Sequence, residues 1–102
     1  MSDPSSTARF SEVIDELWAV IDTRREADPA ESYTARLLQG PEDKLLKKVA
    51  EEAGEVIMAA KDGDPEHLRY EIGDVVYHLL VVMARWGLTP DDIAAELASR
   101  RT

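Results

Sequence analysis

The tetrapeptide Asp62-Gly63-Asp64-Pro65 (DGDP) decides how this chain folds, because it stops one helix and starts another with no residues to spare. Glycine after an apolar-periodic run ends a helix, Asp64 is a good N-cap, and Pro65 suits the first helical position. So short a connection makes the flanking helices antiparallel neighbours. Upstream, Leu45, Leu46, Val49, Ala53, Val56, Ile57 and Ala60 recur at helical spacing, from a start at Pro41-Glu42-Asp43 to Asp62. Downstream, Leu68, Ile72, Val75, Val76, Leu79, Val82, Met83 and Trp86 carry the second helix to Gly87.

Farther out the same rules give three more segments. Phe10, Val13, Ile14, Leu17, Val20 and Ile21 form an amphipathic stripe that fades in the polar run 24–27 before Asp28-Pro29. A short segment, Ser32 to Leu38, ends at Gly40-Pro41, and Thr89-Pro90-Asp91-Asp92 opens a last helix through Ile93, Leu97 and Ala98. The expected fold is all-α: a bundle of four to five helices built on one hairpin. A flexible tail is expected over residues 1–9, which are Ser-rich and lack an apolar leader, and a single domain over 10–102.

Composition limits what such a domain can bind. A net charge of -9, from 21 acidic and 12 basic residues, argues against nucleic acid or an anionic membrane as partner unless a cation or a local basic cluster intervenes. No run approaches the ~18 apolar residues of a membrane span. With no cysteine there is no disulfide frame, thiolate nucleophile or cysteine-based zinc site, and a cytoplasmic location is expected.

The hairpin also pairs acids. A helix turns about 100° per residue, so with Leu45 at zero Glu52 lies near -20° and Glu55 near -80°, while Glu51 turns farther toward solvent. With Leu68 at zero, Glu71 falls near -60° and Asp74 near -120°. Glu55 and Glu71 are each eight positions from Gly63, and Glu52 and Asp74 are each eleven. Four carboxylates should therefore meet at two levels of the hairpin. Such a group repels itself unless a cation sits within it, and oxygen donors suit Mg²⁺, Mn²⁺ or Ca²⁺. Metal coordinated in this way serves phosphate chemistry.

Other residues carry two readings. Lys47 and Lys48 either make i,i+4 pairs with Glu51 and Glu52 or face phosphate beside the metal. His78 alone reads as a satisfied helix-edge histidine, and Trp18 and Trp86 as core or interface aromatics. Gly54 and Gly73 sit inside helices at a cost of about 0.8–1 kcal/mol each against alanine, so a further helix, from this chain or a second subunit, is expected against them.

Glu51-Glu52-x-x-Glu55 followed by Glu71-x-x-Asp74 resembles the signature of the all-α, MazG-like nucleoside triphosphate pyrophosphohydrolases. Ser32-Tyr33-Thr34, Leu37, Gly40, Lys47-Lys48, Tyr77-His78-Leu79-Leu80 and Gly87-Leu88 narrow the resemblance to phosphoribosyl-ATP pyrophosphohydrolases of histidine biosynthesis, over about Arg24 to Arg100. The resemblance implies Mg²⁺-dependent hydrolysis of 1-(5-phosphoribosyl)-ATP to 1-(5-phosphoribosyl)-AMP and pyrophosphate, Mn²⁺ being a possible substitute. It implies Glu52, Glu55, Glu71 and Asp74 as metal ligands, Glu55 with Glu52 as catalytic carboxylates, and Lys47, Lys48 and Arg36 on substrate phosphate. A homodimer or higher assembly, and the stand-alone form without a fused second enzyme, are also implied. The alternatives are a house-cleaning (d)NTP pyrophosphohydrolase with the same metal core, and a non-catalytic acidic dimerisation module.

Overall fold

The computed structural model describes residues 8–101. Residues 1–7 of the expected tail lie outside it. Five helices follow in order: α1 (Phe10–Thr23), α2 (Tyr33–Gln39), α3 (Glu42–Asp62), α4 (Pro65–Arg85) and α5 (Pro90–Ser99). No strand occurs among the described residues. None of the described helices is long and apolar enough to cross a membrane.

The punctuation does what its chemistry dictates. Gly63 takes the left-handed conformation (φ 69°) that ends α3, and Asp64 caps α4 by accepting from the His67 N–H at 3.2 Å. Gly87 (φ 76°) ends α4, with the Leu88 N–H donating back to the Met83 carbonyl at 2.8 Å. Thr89 and Asp92 exchange hydrogen bonds in a capping box that opens α5. Ser32 caps α2 by accepting from the Ala35 N–H.

The α3–α4 hairpin is the spine. Helix α1 packs on α4, α2 on both hairpin helices, and α5 on α1. The core joins Ile21 of α1, Leu37 of α2, Leu45 of α3 and Leu80, Val81 and Ala84 of α4. Two arginines tie loop to core: Arg25 Nη1 donates to the Ala84 carbonyl at 2.8 Å and Arg85 Nη1 to the Leu37 carbonyl at 2.7 Å.

The structure rotates α4 away from the face its apolar pattern suggests. The buried side carries Glu71, His78, Leu80, Val81 and Ala84, whereas Ile72, Leu79 and Trp86, all read as part of the stripe, are 46%, 39% and 44% exposed. On α3 the buried residues are Leu45, Glu52 and Ala59, so Glu52 lies in the middle of the inner face and not on its border. Leu46 and Ile57 turn outward. Both helices carry apolar residues on the outer side as well as the inner, so periodicity alone could not choose the side that this chain covers itself. Among the described residues nothing beyond each helix's own neighbouring backbone lies within 4 Å of a Cβ built at Gly54 or Gly73, so none of the five described helices is the one expected against them.

Candidate active site

The inward rotation of α3 and α4 puts acids where a core would ordinarily be. Glu52 and Glu71 are 7% and 5% exposed, each below the level at which a lone carboxylate is comfortable. Glu52, Glu71 and Asp74 can each bring an oxygen within 4.8 Å of the others. A second trio, Glu55, His67 and Glu71, meets the same distance. Glu71 belongs to both, so the four predicted carboxylates form one continuous group, and the two levels are those set by equal distance from Gly63.

The electrostatics show the crowding. Desolvation, followed by the charges of Glu52 and Glu55, raises the Glu71 carboxyl above its ordinary value. Desolvation, then a hydrogen bond with Glu52, raises Asp74. Glu52 moves the other way: its burial would raise it, but hydrogen bonds from Lys48 and Asp74 outweigh that and leave it lowered. The Lys48 ammonium sits 3.1 Å from Glu52 Oε1 and is itself raised, chiefly by that hydrogen bond. Glu52 is thus held from one side by Lys48 and from the other by Asp74.

The remaining candidates separate. Glu55 is exposed at the outer level beside His67, whose Nε2 is 3.7 Å from Glu71 Oε2. Glu51 is exposed and belongs to neither trio. Lys47 is exposed, about 100° farther round α3 from Lys48, and makes no ion pair among the described residues. Arg36 is drawn elsewhere: its Nη1 donates to the Pro29 carbonyl at 2.7 Å, and its guanidinium carbon is 5.8 Å from the centre of the Tyr33 ring.

Two features went unread in the sequence. His67 has no signal beyond its i,i+4 spacing to Glu71. The SYT and YH stretches prove to be two halves of one clasp: Tyr33 bonds His78 at 3.0 Å and the Thr34 hydroxyl bonds the Tyr77 hydroxyl. Nδ1 of buried His78 lies 2.8 Å from the Asp74 carbonyl oxygen, which can only accept, so Nδ1 is the donor there and Nε2 is the atom that pairs with the Tyr33 hydroxyl. Desolvation is the main cause raising the Tyr33 phenol, opposed by Lys48. The clasp holds α2 against the acidic end of α4 and brings Tyr33 within electrostatic reach of Lys48, Glu52 and Asp74.

The chain is similar to known proteins over most of its length. The profile of the phosphoribosyl-ATP pyrophosphohydrolases matches residues 14–101. The chain is 52% identical over 90 residues to a phosphoribosyl-ATP pyrophosphatase of Pelotomaculum thermopropionicum, covering 88% of this chain and 92% of the relative. A protein of the same name from Haloarcula marismortui is 49% identical over 92 residues, covering 88% and 94%. The histidine biosynthesis bifunctional protein HisIE of Thermus thermophilus is 47% identical over 88 residues, which are 86% of this chain and 41% of that protein. With the acid hairpin, the SYT and YHLL stretches and Gly40 all in place, the chain belongs to the phosphoribosyl-ATP pyrophosphohydrolase family.

Proposed function

We propose that the chain hydrolyses the α-β anhydride of 1-(5-phosphoribosyl)-ATP, giving 1-(5-phosphoribosyl)-AMP and pyrophosphate, the second step of histidine biosynthesis. The observation that carries this reading is the convergence of Glu52, Glu55, Glu71 and Asp74 across the α3–α4 turn in a member of this family. The donor set fits a hard divalent cation. It is rich in carboxylate oxygen, and the raised Glu71 and Asp74 carboxyls mark like charge that a cation would neutralise. Mg²⁺ is proposed, with Mn²⁺ as substitute, held by those four residues. Once bound, such an ion neutralises developing phosphate charge and lowers the pKa of coordinated water.

The chain's own residues do the rest. Lys48, on the rim of the group, presents a compact positive charge to a phosphate oxygen, and Glu52 fixes its direction. Glu55, the most accessible of the four, accepts the proton of the water that attacks phosphorus as the pyrophosphate oxygen departs. Lys47 is left with, at most, an outer role toward phosphate, because it faces away from the group. We place the reaction in the cytoplasm.

A homodimer belongs to the same proposal. Ile57 and Met58 are 63% and 61% exposed, and with Ile72, Leu79 and Trp86 they leave the outer faces of α3 and α4 apolar. A second copy covering those faces would also supply the neighbour that Gly54 and Gly73 lack. Sedimentation should give about twice the 11.4 kDa chain mass. An 11.4 kDa species at tens of micromolar would overturn the dimer.

The activity is tested by pyrophosphate release from phosphoribosyl-ATP in the presence of Mg²⁺, beside a panel of ordinary triphosphates. Release from phosphoribosyl-ATP is expected. Release from dUTP alone would instead establish the house-cleaning alternative, and no release from any of them the non-catalytic one.

A further inference from the structure

A groove of about 360 Å³ runs between the end of α2 and the start of α3, lined by Pro29, Arg36, Gln39, Gly40, Pro41 and Lys44. Its two charged side chains are both basic, in a chain of net charge -9. The acids next in sequence, Glu42 and Asp43, do not line it. Neither Arg36 nor Lys44 makes an ion pair among the described residues, so their charge is not spent within the fold.

The groove is built to a fixed shape. Gln39 Nε2 donates to the Arg25 carbonyl at 3.1 Å and the Ala27 carbonyl at 2.7 Å, which pins the loop against α2. Arg36 is anchored on the Pro29 carbonyl. The Gly40 N–H donates to the Arg36 carbonyl at 2.9 Å, and a Cβ at residue 40 would stand 2.7 Å from that oxygen, so the approach is possible only for glycine.

Its position relative to the carboxylates gives it a meaning. Lys44, Lys48 and Glu52 follow at i, i+4 and i+8 on one stripe of α3, so Lys44 lies about 12 Å along the helix from Glu52. Lys48, one turn nearer the acids, is placed for phosphates held there. Lys44 and Arg36 are placed for a different anion on the same molecule. Phosphoribosyl-ATP has such an anion, because its phosphoribosyl arm ends in a phosphate monoester separated from the triphosphate by a purine and two riboses.

We infer that the Arg36–Lys44 groove is a second phosphate subsite, which binds the 5-phosphate of the phosphoribosyl arm and distinguishes this substrate from ordinary nucleoside triphosphates. The inference rests on the proposed reaction for its substrate, and its test separates the two. Steady-state kinetics are compared for phosphoribosyl-ATP and for the same nucleotide lacking only the ribosyl 5-phosphate, in the parent and in Lys44→Gln. In the parent, loss of the 5-phosphate is expected to raise KM about tenfold, the size of one charge-assisted hydrogen bond. Lys44→Gln should raise KM for the full substrate by a similar factor and abolish the difference between the two. Because the dephosphorylated compound keeps its triphosphate, a Lys44 contact with the γ-phosphate would make Lys44→Gln raise KM for both substrates alike, which would overturn the assignment.

A second measurement does not depend on catalysis. Ribose 5-phosphate should shift the Gly40 and Lys44 amide resonances of the parent at millimolar concentration, ribose should not, and Lys44→Gln should lose the response. If the chain does not hydrolyse phosphoribosyl-ATP but these shifts occur, the reaction has failed and the subsite stands. Equal KM values for the two substrates in the parent, or no shift with ribose 5-phosphate, would each overturn the subsite. Lys44 is exposed, so Lys44→Gln is expected to fold as the parent does, with unchanged helical circular dichroism as the control.

Discussion

Asp74→Asn should cut pyrophosphate release by at least about a hundredfold at saturating substrate while making the metal-free protein more stable. Both effects follow from one property of the site. Asp74 contributes a carboxylate oxygen to the inner trio, and asparagine keeps its shape but offers a neutral, weaker donor to a hard cation. Without a cation the same carboxyl is a burden, since desolvation and Glu52 hold it above its ordinary value. A neutral amide removes that penalty.

The pH dependence carries the same sign. Glu71 and Asp74 are raised in the folded state, so over the interval between the ordinary carboxylate value and the raised one the folded chain holds more protons than the unfolded chain. Stability in chelator should therefore rise as pH falls from neutral toward the ordinary carboxylate range, and fall as pH rises through the raised values. Glu52, being lowered, acts oppositely and at lower pH: its contribution is present above the unfolded value and is lost as pH falls through the folded one. Thermal melts in chelator and in Mg²⁺, over pH, check all of this. Asp74→Asn should melt higher than the parent in chelator at neutral pH, show a flatter pH profile, and lose the Mg²⁺-dependent gain. An unchanged rate, or a lower melt in chelator, would remove Asp74 from the metal site.

Leu45→Ala should cost roughly 2–5 kcal/mol. Leu45 is fully buried and is the only α3 residue in the cluster that also takes in Ile21, Leu37, Leu80, Val81 and Ala84. Truncation opens a cavity at the point where α1, α2 and α4 meet α3, and none of these helices can close it without losing contact elsewhere. For a domain of this size each kcal/mol moves Tm by about 4–8 °C, and total stability is only about 5–15 kcal/mol. Urea unfolding measures the loss directly. A value under about 1 kcal/mol would mean that the four helices do not depend on this side chain for their junction.

Much of this was legible in the residues because it is local chemistry. Asp64-Pro65 and Thr89-Pro90 specify helix starts by the hydrogen bonds they offer and withhold, and the folded chain makes those bonds. The acid pairs were legible because a tight turn converts sequence distance from Gly63 into height along the hairpin. Rotation about the helix axis was not legible. Ile72 and Leu79 are as apolar as Leu80 and Val81, and only the placement of α1 and α2, which depends on contacts far apart in sequence, decides which of them this chain buries. Lys47 and Lys48 are alike in type and neighbours in sequence. Their roles divide because one step of about 100° turns one toward Glu52 and the other away. The groove holding Arg36 was hidden for a similar reason, since it exists only where α2 ends against α3.

The turn at Gly63 also sets an order of assembly. Glu52 and Asp74 are 22 positions apart, within two helices that can zip from a common end, so the acidic half of the site closes through contacts of short sequence separation. Tyr33 and Leu37 must be brought in across 45 and 48 positions to meet His78 and Arg85 of α4, and their loop-closure entropy falls due later. A folding chain is therefore expected to gather the carboxylates first and to dock α2 against them second.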